Sequence, residues 1–326
     1  MADRGNILIT GGAGFIGSHL TERLLSEGHS VTVIDDCSTG SVQNFSAIAE
    51  QGNLEVIQCS VSDCADLPVL CARAKFVFHL AAAVGVELVV RSPVRTIETN
   101  LNETEVILLA ASTCGTPVLL ASTSEVYGKS GKESFSEEDD LLIGPPHLGR
   151  WSYACSKLMD EFLALAYHRE RQLPVVIARL FNTVGPRQTG RYGMVLPRFV
   201  LAALRGEPLL VFGDGRQTRC LCHVNDTIEA ILRLQNAPSA IGEVVNIGST
   251  EEISILDLAK RVVTLLHSKS EIRLVSYAEA YQPGFEDMPR RKPSVEKLRR
   301  LTNFTPGIPL DETILSVAQA LRGVTA

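Results

Sequence analysis

Three glycines at regular spacing constrain the fold of this chain more than any other feature. In "ITGGAGFIGSHL", Gly11, Gly14 and Gly17 stand at G-x-x-G-x-x-G spacing directly after the apolar run "NILIT". Glycines permit a tight strand-to-helix turn and a close approach of the backbone to a ligand. The free N–H groups at the start of a helix then favour an anion such as a diphosphate. The pattern predicts a strand, a tight turn and a helix, with a phosphate site between them.

Short apolar runs rich in β-branched residues alternate with amphipathic segments through the first 180 residues. Runs of this kind are typical of strands buried on both faces, so we predict an α/β protein with a doubly wound parallel Rossmann sheet. The predicted strands are 6–10, 31–35, 54–58, 75–80, 117–122 and 174–180, and the predicted helices between them are about 15–27, 93–114 and 152–171.

The character of the sequence changes after residue 180. Gly, Pro and Arg become frequent, and helices are predicted near 195–205, 225–236, 254–267 and 311–322. Loops rich in Pro, Gly and Arg on a helical frame are suited to a lobe that closes over an anionic ligand. We therefore predict a cofactor-binding Rossmann domain over 1–180 and a smaller α/β substrate lobe over 181–326, with some of the chain returning to the first domain.

The composition excludes several classes of function. A hydrophobic fraction of 45% with 21% charged residues is ordinary for a folded globular protein. A net charge of -6 argues against a nucleic-acid partner, and no run approaches the ~20 apolar residues of a membrane span. No secretory signal is recognised, and the eight cysteines form no C-x-x-C pair. We therefore expect reduced thiols in a cytoplasmic protein without a metal, and a small-molecule ligand.

A carboxylate at the end of the second predicted strand identifies the ligand of the glycine turn. Asp35 in "VTVIDD" lies 18 residues beyond Gly17, where it would accept hydrogen bonds from both ribose hydroxyls and repel a 2′-phosphate. The expected cofactor is therefore NAD rather than NADP. Small residues in "HLAAA" would let the cofactor pass over the strand end, and Asn100 is interpreted as the start of a turn before "LNETEV". Plain packing explains these last two features equally well.

A tyrosine and a lysine lie four residues apart in "RWSYACSKLMDEF", on one face of a predicted helix. Tyr153 is a poor base at neutral pH, but the Lys157 ammonium and a nicotinamide cation both favour its phenolate. Such a phenolate can take a proton from a sugar hydroxyl while hydride leaves the carbon. The predicted NAD-binding residues are Gly11, Gly14, Phe15, Ile16, Gly17, Asp35, Asp36, Ser38, Thr39, Gly40, Leu80, Ala81, Ala82, Asn100, Tyr153 and Lys157.

These motifs together resemble the extended short-chain dehydrogenase/reductases, the NAD-dependent epimerase/dehydratase family that acts on nucleotide sugars. "TGGAGFIGSHL", "HLAA", "STSEVYG", "YACSK", "RLFNTVGPR", "GDGRQTR" and "NIGS" follow one another in family order. The resemblance implies that NAD stays bound, oxidises the sugar at C4 and is regenerated in the same cycle. It also implies a homodimer formed through the helices near 98–114 and 152–171.

Within the family, "STSEVYG" is most similar to the UDP-glucuronate decarboxylases. Their Thr, Ser and Glu match Thr123, Ser124 and Glu125, and their uridine-binding and arginine segment resembles "GEPLLVFGDGRQTRC". Val89 stands where a tyrosine lines the sugar carboxylate in those enzymes. The resemblance implies Tyr153, Lys157, Glu125, Thr123, Ser124 and Arg219 as catalytic residues, and Asn182, Arg187, Val211, Phe212, Gln217, Arg219 and Arg291 as residues that bind a UDP-sugar.

Oxidation of C4 in a glucuronosyl group creates a ketone β to the C6 carboxylate, and such an acid loses carbon dioxide without a metal. The expected product is UDP-xylose or the 4-keto pentose. Other interpretations remain: a UDP-sugar 4-epimerase acting on glucuronate or glucose, or a non-catalytic NAD-binding sensor. Single residues also have alternatives of their own. Glu125 is a helix cap or loop ion pair in one of them, and Arg219 is a diphosphate or structural contact. Arg291 matches the family's diphosphate arginine, and the alternative is a solvated basic run.

Overall fold

A seven-stranded parallel sheet forms the centre of the protein. The structure, a computed structural model, describes residues 5–48, 52–83, 92–190, 194–280 and 288–325. The strands lie in the order β11-β6-β5-β4-β1-β2-β3, which confirms the predicted doubly wound α/β fold. The sheet strands are β1 (Asn6–Thr10), β2 (Ser30–Ile34), β3 (Leu54–Ile57), β4 (Phe76–His79), β5 (Val118–Thr123), β6 (Val175–Leu180) and β11 (Val244–Ile247).

Helices cover both faces of this sheet and build the C-terminal part of the chain. Those predicted from the sequence are present with ends that differ by a few residues. The helices are α1 (Phe15–Ser26), α2 (Leu67–Arg73), α3 (Pro93–Cys114), α4 (Trp151–Arg171), α5 (Val195–Arg205), α6 (Val224–Gln235), α7 (Ile255–Leu265), α8 (Tyr277–Ala280), α9 (Glu296–Thr302) and α10 (Leu310–Thr325). Within the described residues, no helix combines the length and apolarity required to cross a membrane.

Alternate residues of the central strands pack against opposite layers of helices. On β1, Ile7 and Ile9 lie in one apolar cluster with residues of α1 and α6, whereas Leu8 lies in a second cluster with residues of α2 and α3. All three side chains are at most 1% exposed. This burial on both faces explains why the strand sequences read as continuous apolar runs. Truncating such a side chain to alanine typically costs about 2–5 kcal/mol of folding free energy.

The seventh strand belongs to the part of the chain that follows residue 180. β11 pairs in parallel with β6, Val244 facing Ile177 and Ile247 facing Leu180. The strand is only four residues long and includes the polar Asn246, so the sequence pattern did not predict it. The pairing returns this segment to the large sheet, because the edge of β6 offers unpaired backbone groups that must be satisfied.

Three two-stranded sheets and a separate apolar core form the rest of the C-terminal part. That core lies among α5, α7 and α10 and includes Leu196, Leu258 and Ile314. The small sheets pair β7 (Thr183–Val184) with β10 (Cys222–His223), β8 (Leu209–Phe212) with β13 (Ile272–Val275), and β9 (Thr218–Cys220) with β12 (Glu252–Ser254).

The order of strands determines where a ligand can lie. Successive strands are added to one side of β1 as far as β3 and to its other side from β4 onward, so the strand order reverses between the neighbours β1 and β4. Ligands of open α/β sheets bind at such a switch point beyond the carboxyl ends of the strands. The glycine turn follows β1, and Thr123 ends β5 at the same edge. Residues 84–91, which include Val89, lie outside the described residues.

Candidate active site

A cleft of about 810 Å³ runs along the carboxyl edge of the sheet and continues between the sheet and the C-terminal part. One end is lined by the glycine turn after β1. The middle is lined by the end of β5 and the start of α4, and the other end by β8 and the segment around Tyr277. This volume is typical of sites for small molecules and cofactors, which measure ~300–1,000 Å³.

The glycine turn has the geometry that close approach of a diphosphate requires. Gly11 has φ +72°, a left-handed conformation that favours glycine. A Cβ on Gly17 would stand 2.2 Å from the Gly11 carbonyl oxygen and 2.6 Å from Gly12 Cα, so only glycine fits there. The turn leads directly into α1, whose first N–H groups face the cleft end. These residues fit a dinucleotide.

Asp35 lies beside this turn and is 8% exposed. Its Oδ2 accepts a hydrogen bond from the Ala13 N–H at 2.8 Å, and its Oδ1 accepts one from the Cys37 N–H at 2.8 Å. Burial raises the pKa of this carboxyl, and the backbone hydrogen bonds oppose that rise. The carboxylate therefore secures the loop and retains lone pairs for ribose hydroxyls. Of the predicted NAD-binding residues, those lining the cleft are Gly11, Gly14, Phe15, Ile16, Gly17, Asp35, Asp36, Ser38, Thr39, Gly40, Leu80, Ala81, Ala82, Tyr153 and Lys157.

Asn100 is a correction to the sequence interpretation. It lies inside α3, not at the start of a turn, and it is 1% exposed. Its Oδ1 accepts a hydrogen bond from the Ala83 N–H at 2.8 Å, and its Nδ2 donates to Ser156 Oγ at 3.0 Å. The polar side chain is buried because it joins the loop after β4 to α4. Its contribution to the cofactor site is to hold the backbone beside "HLAAA".

Tyr153 and Lys157 lie one helical turn apart on α4 and both face the cleft. The Tyr153 hydroxyl lies beside the side chain of Thr123, which brings the helix next to the end of β5. Removal from water inside the cleft raises the pKa of Tyr153, and the Glu125 and Asp160 carboxylates raise it further. Phenolate formation therefore needs nearby positive charge, which Lys157 and a nicotinamide cation supply.

Glu125 lies between two arginines at the end of β5. Its Oε1 is 3.3 Å from Arg291 Nη1, and its Oε2 is 3.8 Å from Arg150 Nη2. Both arginine side chains are largely buried, at 11% and 3% exposure. Arg291 reaches the site because the backbone of Lys292 and Ser294 pairs with Phe135. Arg291 therefore lies beside Glu125 in the middle of the cleft and is not part of a solvated basic run.

Ser124 is 2% exposed and lines the cleft between Thr123 and Glu125. All three residues follow from one local structure. β5 ends at Thr123, whose Oγ1 accepts a hydrogen bond from the Glu125 N–H at 3.2 Å, and a 3₁₀ turn spans Ser124–Tyr127. The capping hydroxyl explains why a strand is followed by small polar residues before Gly128.

The predicted substrate-binding residues line the cleft with one exception. Asn182, Arg187, Phe212, Gln217, Arg219 and Arg291 line the cleft. Val211 does not: it is 0% exposed and packs in the C-terminal core. Side chains of a strand alternate in direction, so the cleft is lined by its neighbours Leu210 and Phe212 instead. The prediction chose the wrong face of β8 at this position.

Three of these polar side chains form hydrogen bonds with other parts of the protein. Arg219 is 8% exposed and donates from Nη1 to the Met288 carbonyl at 2.9 Å, and Gln217 donates from Nε2 to the Phe212 carbonyl at 3.0 Å. Arg187 donates to Ser18 and Glu22 of α1, which places it at the cofactor end of the cleft. These contacts orient the side chains before a ligand binds.

Sequence reasoning missed two arginines of the site. Arg150 precedes Tyr153 by three residues, and this spacing places both on one side of a helix start. Arg198 of α5 lines the cleft, with its guanidinium 4.4 Å from the ring centre of Phe212, and only the folded chain brings the two together. Across the described part of the chain, no three His, Cys, Asp or Glu side chains are grouped as a metal would require.

Comparison with known proteins identifies the class of this site. Residues 7–248 match the model of the NAD dependent epimerase/dehydratase family. The UDP-N-acetyl-alpha-D-glucosaminuronate decarboxylase of Bacillus cytotoxicus is 43% identical over 97% of this chain and 98% of that protein. UDP-glucuronic acid decarboxylase 1 of Xenopus tropicalis is 37% identical over 95% of this chain and 70% of that protein.

A solved structure with bound ligands is also similar. The UDP-glucuronic acid 4-epimerase of Bacillus cereus, in complex with UDP-glucuronic acid and NAD, superposes with a TM-score of 0.87 and 28% identity, covering 98% of this chain and 99% of that one. The predicted cofactor class, NAD, is confirmed by the family match. The fold, the glycine turn, the Tyr–Lys pair and the full-length similarity all indicate the same family. The chain belongs to the NAD-dependent epimerase/dehydratase family.

Proposed function

We propose that this protein is an NAD-dependent decarboxylase of a UDP-linked hexuronate, of the UDP-glucuronate decarboxylase type. The observation that carries the proposal is the environment of Glu125, a carboxylate within 3.3 Å of Arg291 and 3.8 Å of Arg150 and adjacent to Tyr153. A simple 4-epimerase has no need of an acid at this place. The cluster of guanidinium groups favours a substrate with a carboxylate at the reacting end.

Tyr153 begins the proposed reaction. Its oxygen takes the proton of the C4 hydroxyl, while the Thr123 hydroxyl holds the phenolic oxygen and Lys157 supplies positive charge. NAD, when bound, supplies the oxidation of C4 and the later reduction of the ketone. The glycine turn and Asp35 hold the cofactor's diphosphate and ribose.

Loss of carbon dioxide then follows from the position of the ketone. The C5–C6 bond breaks, carbon dioxide leaves, and the electron pair moves into the C4–C5 enolate. Arg150 and Arg291 orient the departing carboxylate, and Glu125 with Ser124 manages the proton that C5 receives. Because these groups are already hydrogen-bonded or ion-paired to one another, they need little rearrangement when the substrate binds.

Two substituents at C2 of the sugar are consistent with the comparisons. The Bacillus cytotoxicus relative is named for a 2-acetamido hexuronate, whereas the Xenopus relative is named for glucuronate. The first is the more identical and covers both chains almost completely, which favours a 2-acetamido substrate. The carboxylate chemistry is the same for both.

Product analysis tests the proposal. The purified protein is incubated separately with UDP-glucuronate, its 2-acetamido analogue and UDP-glucose, and products are followed by proton NMR. Pentose signals with release of carbon dioxide are expected from at least one hexuronate. Galacto-configured products that keep the carboxylate would establish a 4-epimerase instead.

Matched variants link the chemistry to the site. Glu125→Gln is expected to reduce carbon dioxide release at least tenfold, whereas Glu138→Gln, whose side chain is 86% exposed, retains wild-type turnover. Unchanged cellular activity of Tyr153→Phe would instead support the NAD-binding sensor.

We further propose that the enzyme is a homodimer formed through α3 and α4. These helices pack side by side and expose large apolar side chains: Leu109 at 46%, Met159 at 54% and Phe162 at 58%. Large apolar side chains exposed on two adjacent helices are typical of an interface, and a second copy would cover them with the same helices. Phe162→Lys should yield a monomer by light scattering after size exclusion, and a monomeric wild type contradicts the proposal.

We also propose that residues 1–180 bind NAD and that 181–326 bind the nucleotide sugar, with α6 and β11 returning to the first part. The pairing of β11 with β6 supports the return. A cytoplasmic location is supported by the eight free cysteines, since such thiols persist in a reducing compartment.

A further inference from the structure

A buried aspartate lies next to the catalytic lysine. Tyr153, Lys157 and Asp160 occupy positions i, i+4 and i+7 of α4 and therefore share one face. Lys157 Nζ donates to Asp160 Oδ2 at 2.8 Å, and the two side chains are 2% and 0% exposed. Because desolvation offsets most of the attraction in such a pair, its main contribution is not to stability. The pair instead fixes the position of the Lys157 ammonium.

Next to Asp160 lie three buried polar side chains from other elements, Thr10 of β1, His79 of β4 and Thr104 of α3. His79 ends β4 and contacts Thr10 Oγ1 through Nδ1 at 2.7 Å and Thr104 Oγ1 through Nε2 at 3.2 Å. Burial raises the pKa of the Asp160 carboxyl, and Lys157 and Thr104, on α3, oppose that rise. Burial and the Lys157 charge lower the pKa of His79 to about 3, so the imidazole is neutral and carries a single proton.

The hydrogen-bond requirements of these side chains determine where that proton lies. Asp160 Oδ1 makes no hydrogen bond in the described parts of the chain, and the Thr104 hydroxyl lies beside the carboxylate. If His79 carries its proton on Nε2, Thr10 donates to Nδ1 and His79 donates to Thr104, so that the Thr104 proton can turn toward Asp160 Oδ1. In the other tautomer Thr104 donates to His79, and the buried carboxylate oxygen is left without a donor.

We propose that Asp160 is a positioning residue of the reaction: oriented by Thr104 and His79, it fixes the place of the Lys157 ammonium and limits how strongly that ammonium acts on Tyr153. The proposal rests on the proposed function only for the roles of Tyr153 and Lys157. It assigns a purpose to an ion pair that the chemistry at C4 and C5 does not otherwise use.

Among the charged side chains around this pair, Asp160 is the one whose replacement tests the proposal. The charged groups facing Tyr153 are Glu125, Arg291, Lys157 and Asp160, and those facing Asp160 are Lys157, Glu161 on its own helix and, through Thr104, the neutral His79. Glu125 is compensated by Arg291, and Glu161 by Arg179 at 2.7 Å. Removing the Asp160 charge therefore leaves Lys157 uncompensated beside Tyr153.

Titration of the tyrosine tests this without a sugar substrate. Phenolate absorbance is measured against pH in the NAD-bound protein, and subtraction of the same titration in a Tyr153→Phe background isolates one of the six tyrosines. Seven helical residues span about 10 Å, so at an effective dielectric constant of about 20 the Asp160→Asn variant should titrate about one pH unit lower.

The control is Asp257→Asn, which removes an exposed aspartate that also pairs with a lysine three residues away. It should leave the Tyr153 titration unchanged. An Asp160→Asn protein that titrates like wild type overturns the proposal, whatever sugar the enzyme proves to use. A failure to decarboxylate hexuronates would not affect this measurement.

A second pair of variants decides the matter if Asp160→Asn does not fold. Thr104→Val removes the hydroxyl with little change of shape, and the Asp160 carboxyl should then titrate at least one pH unit higher by NMR of labelled aspartate. Thr104→Ser should restore the wild-type value. Thr96→Val, at a buried threonine of the same helix whose hydroxyl donates to the Ser92 carbonyl, should not change it. An unchanged Asp160 titration in Thr104→Val refutes the proposal.

Discussion

Substitution of Gly17 by alanine should damage cofactor binding through the backbone rather than through any lost contact. The new Cβ would stand 2.2 Å from the Gly11 carbonyl oxygen and 2.6 Å from Gly12 Cα, both backbone atoms that no side-chain rotation can move aside. An ordinary contact needs at least ~3.4 Å, so the turn must open by about 1 Å. Overpacking of this kind costs roughly 1–3 kcal/mol of folding free energy.

The same displacement should weaken NAD binding. Loss of one hydrogen bond to a charged phosphate costs about 1.5–3 kcal/mol, which corresponds to a roughly 10- to 150-fold increase in Kd. Quenching of Trp151, the single tryptophan, reports binding of NADH because it lies two residues before Tyr153. Gly14→Ala provides the comparison, since its Cβ would meet only the same oxygen, at 3.2 Å, and Gly131→Ala meets nothing within 4 Å.

The order of effects decides the outcome of this experiment. We expect Gly17→Ala to bind NADH more weakly than Gly14→Ala does, and Gly131→Ala to bind it as tightly as the wild type. Wild-type affinity and an unchanged Tm in Gly17→Ala would show that the turn does not need its close backbone approach, and the reasoning from the glycine spacing would then be wrong.

Three other predictions follow from the geometry. Tyr153→Phe should reduce turnover roughly 10²- to 10⁴-fold with an unchanged circular dichroism spectrum, because the proton acceptor at C4 is lost; a smaller loss would argue for another base. Glu161→Gln should lower the free energy of unfolding by about 3–5 kcal/mol in chemical denaturation, because it removes the counter-charge of the buried Arg179 guanidinium. The Arg179 and Glu161 side chains are only 5% and 3% exposed. An unchanged denaturation midpoint would contradict this. The folded-state pKa of His79 is about 3 against an ordinary value of 6.5, so the unfolded chain binds the proton first and stability falls as pH decreases from about 6.5 to about 3. This group alone contributes about 1.4 kcal/mol per pH unit over that window, and His79→Asn should flatten the slope of unfolding free energy against pH.

Most of the Rossmann part could be predicted because its signals are local. A strand buried on both faces requires an apolar run, and a turn that approaches a diphosphate requires glycine at the positions that "GGAGFIG" provides. The four-residue spacing of Tyr153 and Lys157 also survives folding, because the geometry of a helix places them together. Strand β11 escaped prediction because four residues, one of them the polar Asn246, carry too little periodic signal.

The error at Val211 has a similar origin. A run such as "LLVF" shows that a strand is present but not which of its faces meets a core, since both faces are apolar. In the folded chain α7 and the residues around Gly215 cover Val211, so Phe212 lines the cleft. The interpretation of Asn100 failed because an asparagine is common in turns and gives no sign of the partners that hold it inside a helix.

What the sequence by itself determined are the features that depend on neighbours along the chain: the α/β alternation, the glycine turn, the acid after β2 and the Tyr–Lys pair. Only the tertiary structure decided which charges meet. Arg291 reaches Glu125 across 166 residues of sequence, and His79 and Thr104 reach Asp160 from a strand and from a second helix. Such pairs follow from how layers pack, and packing brings together residues whose spacing along the chain carries no record of the contact.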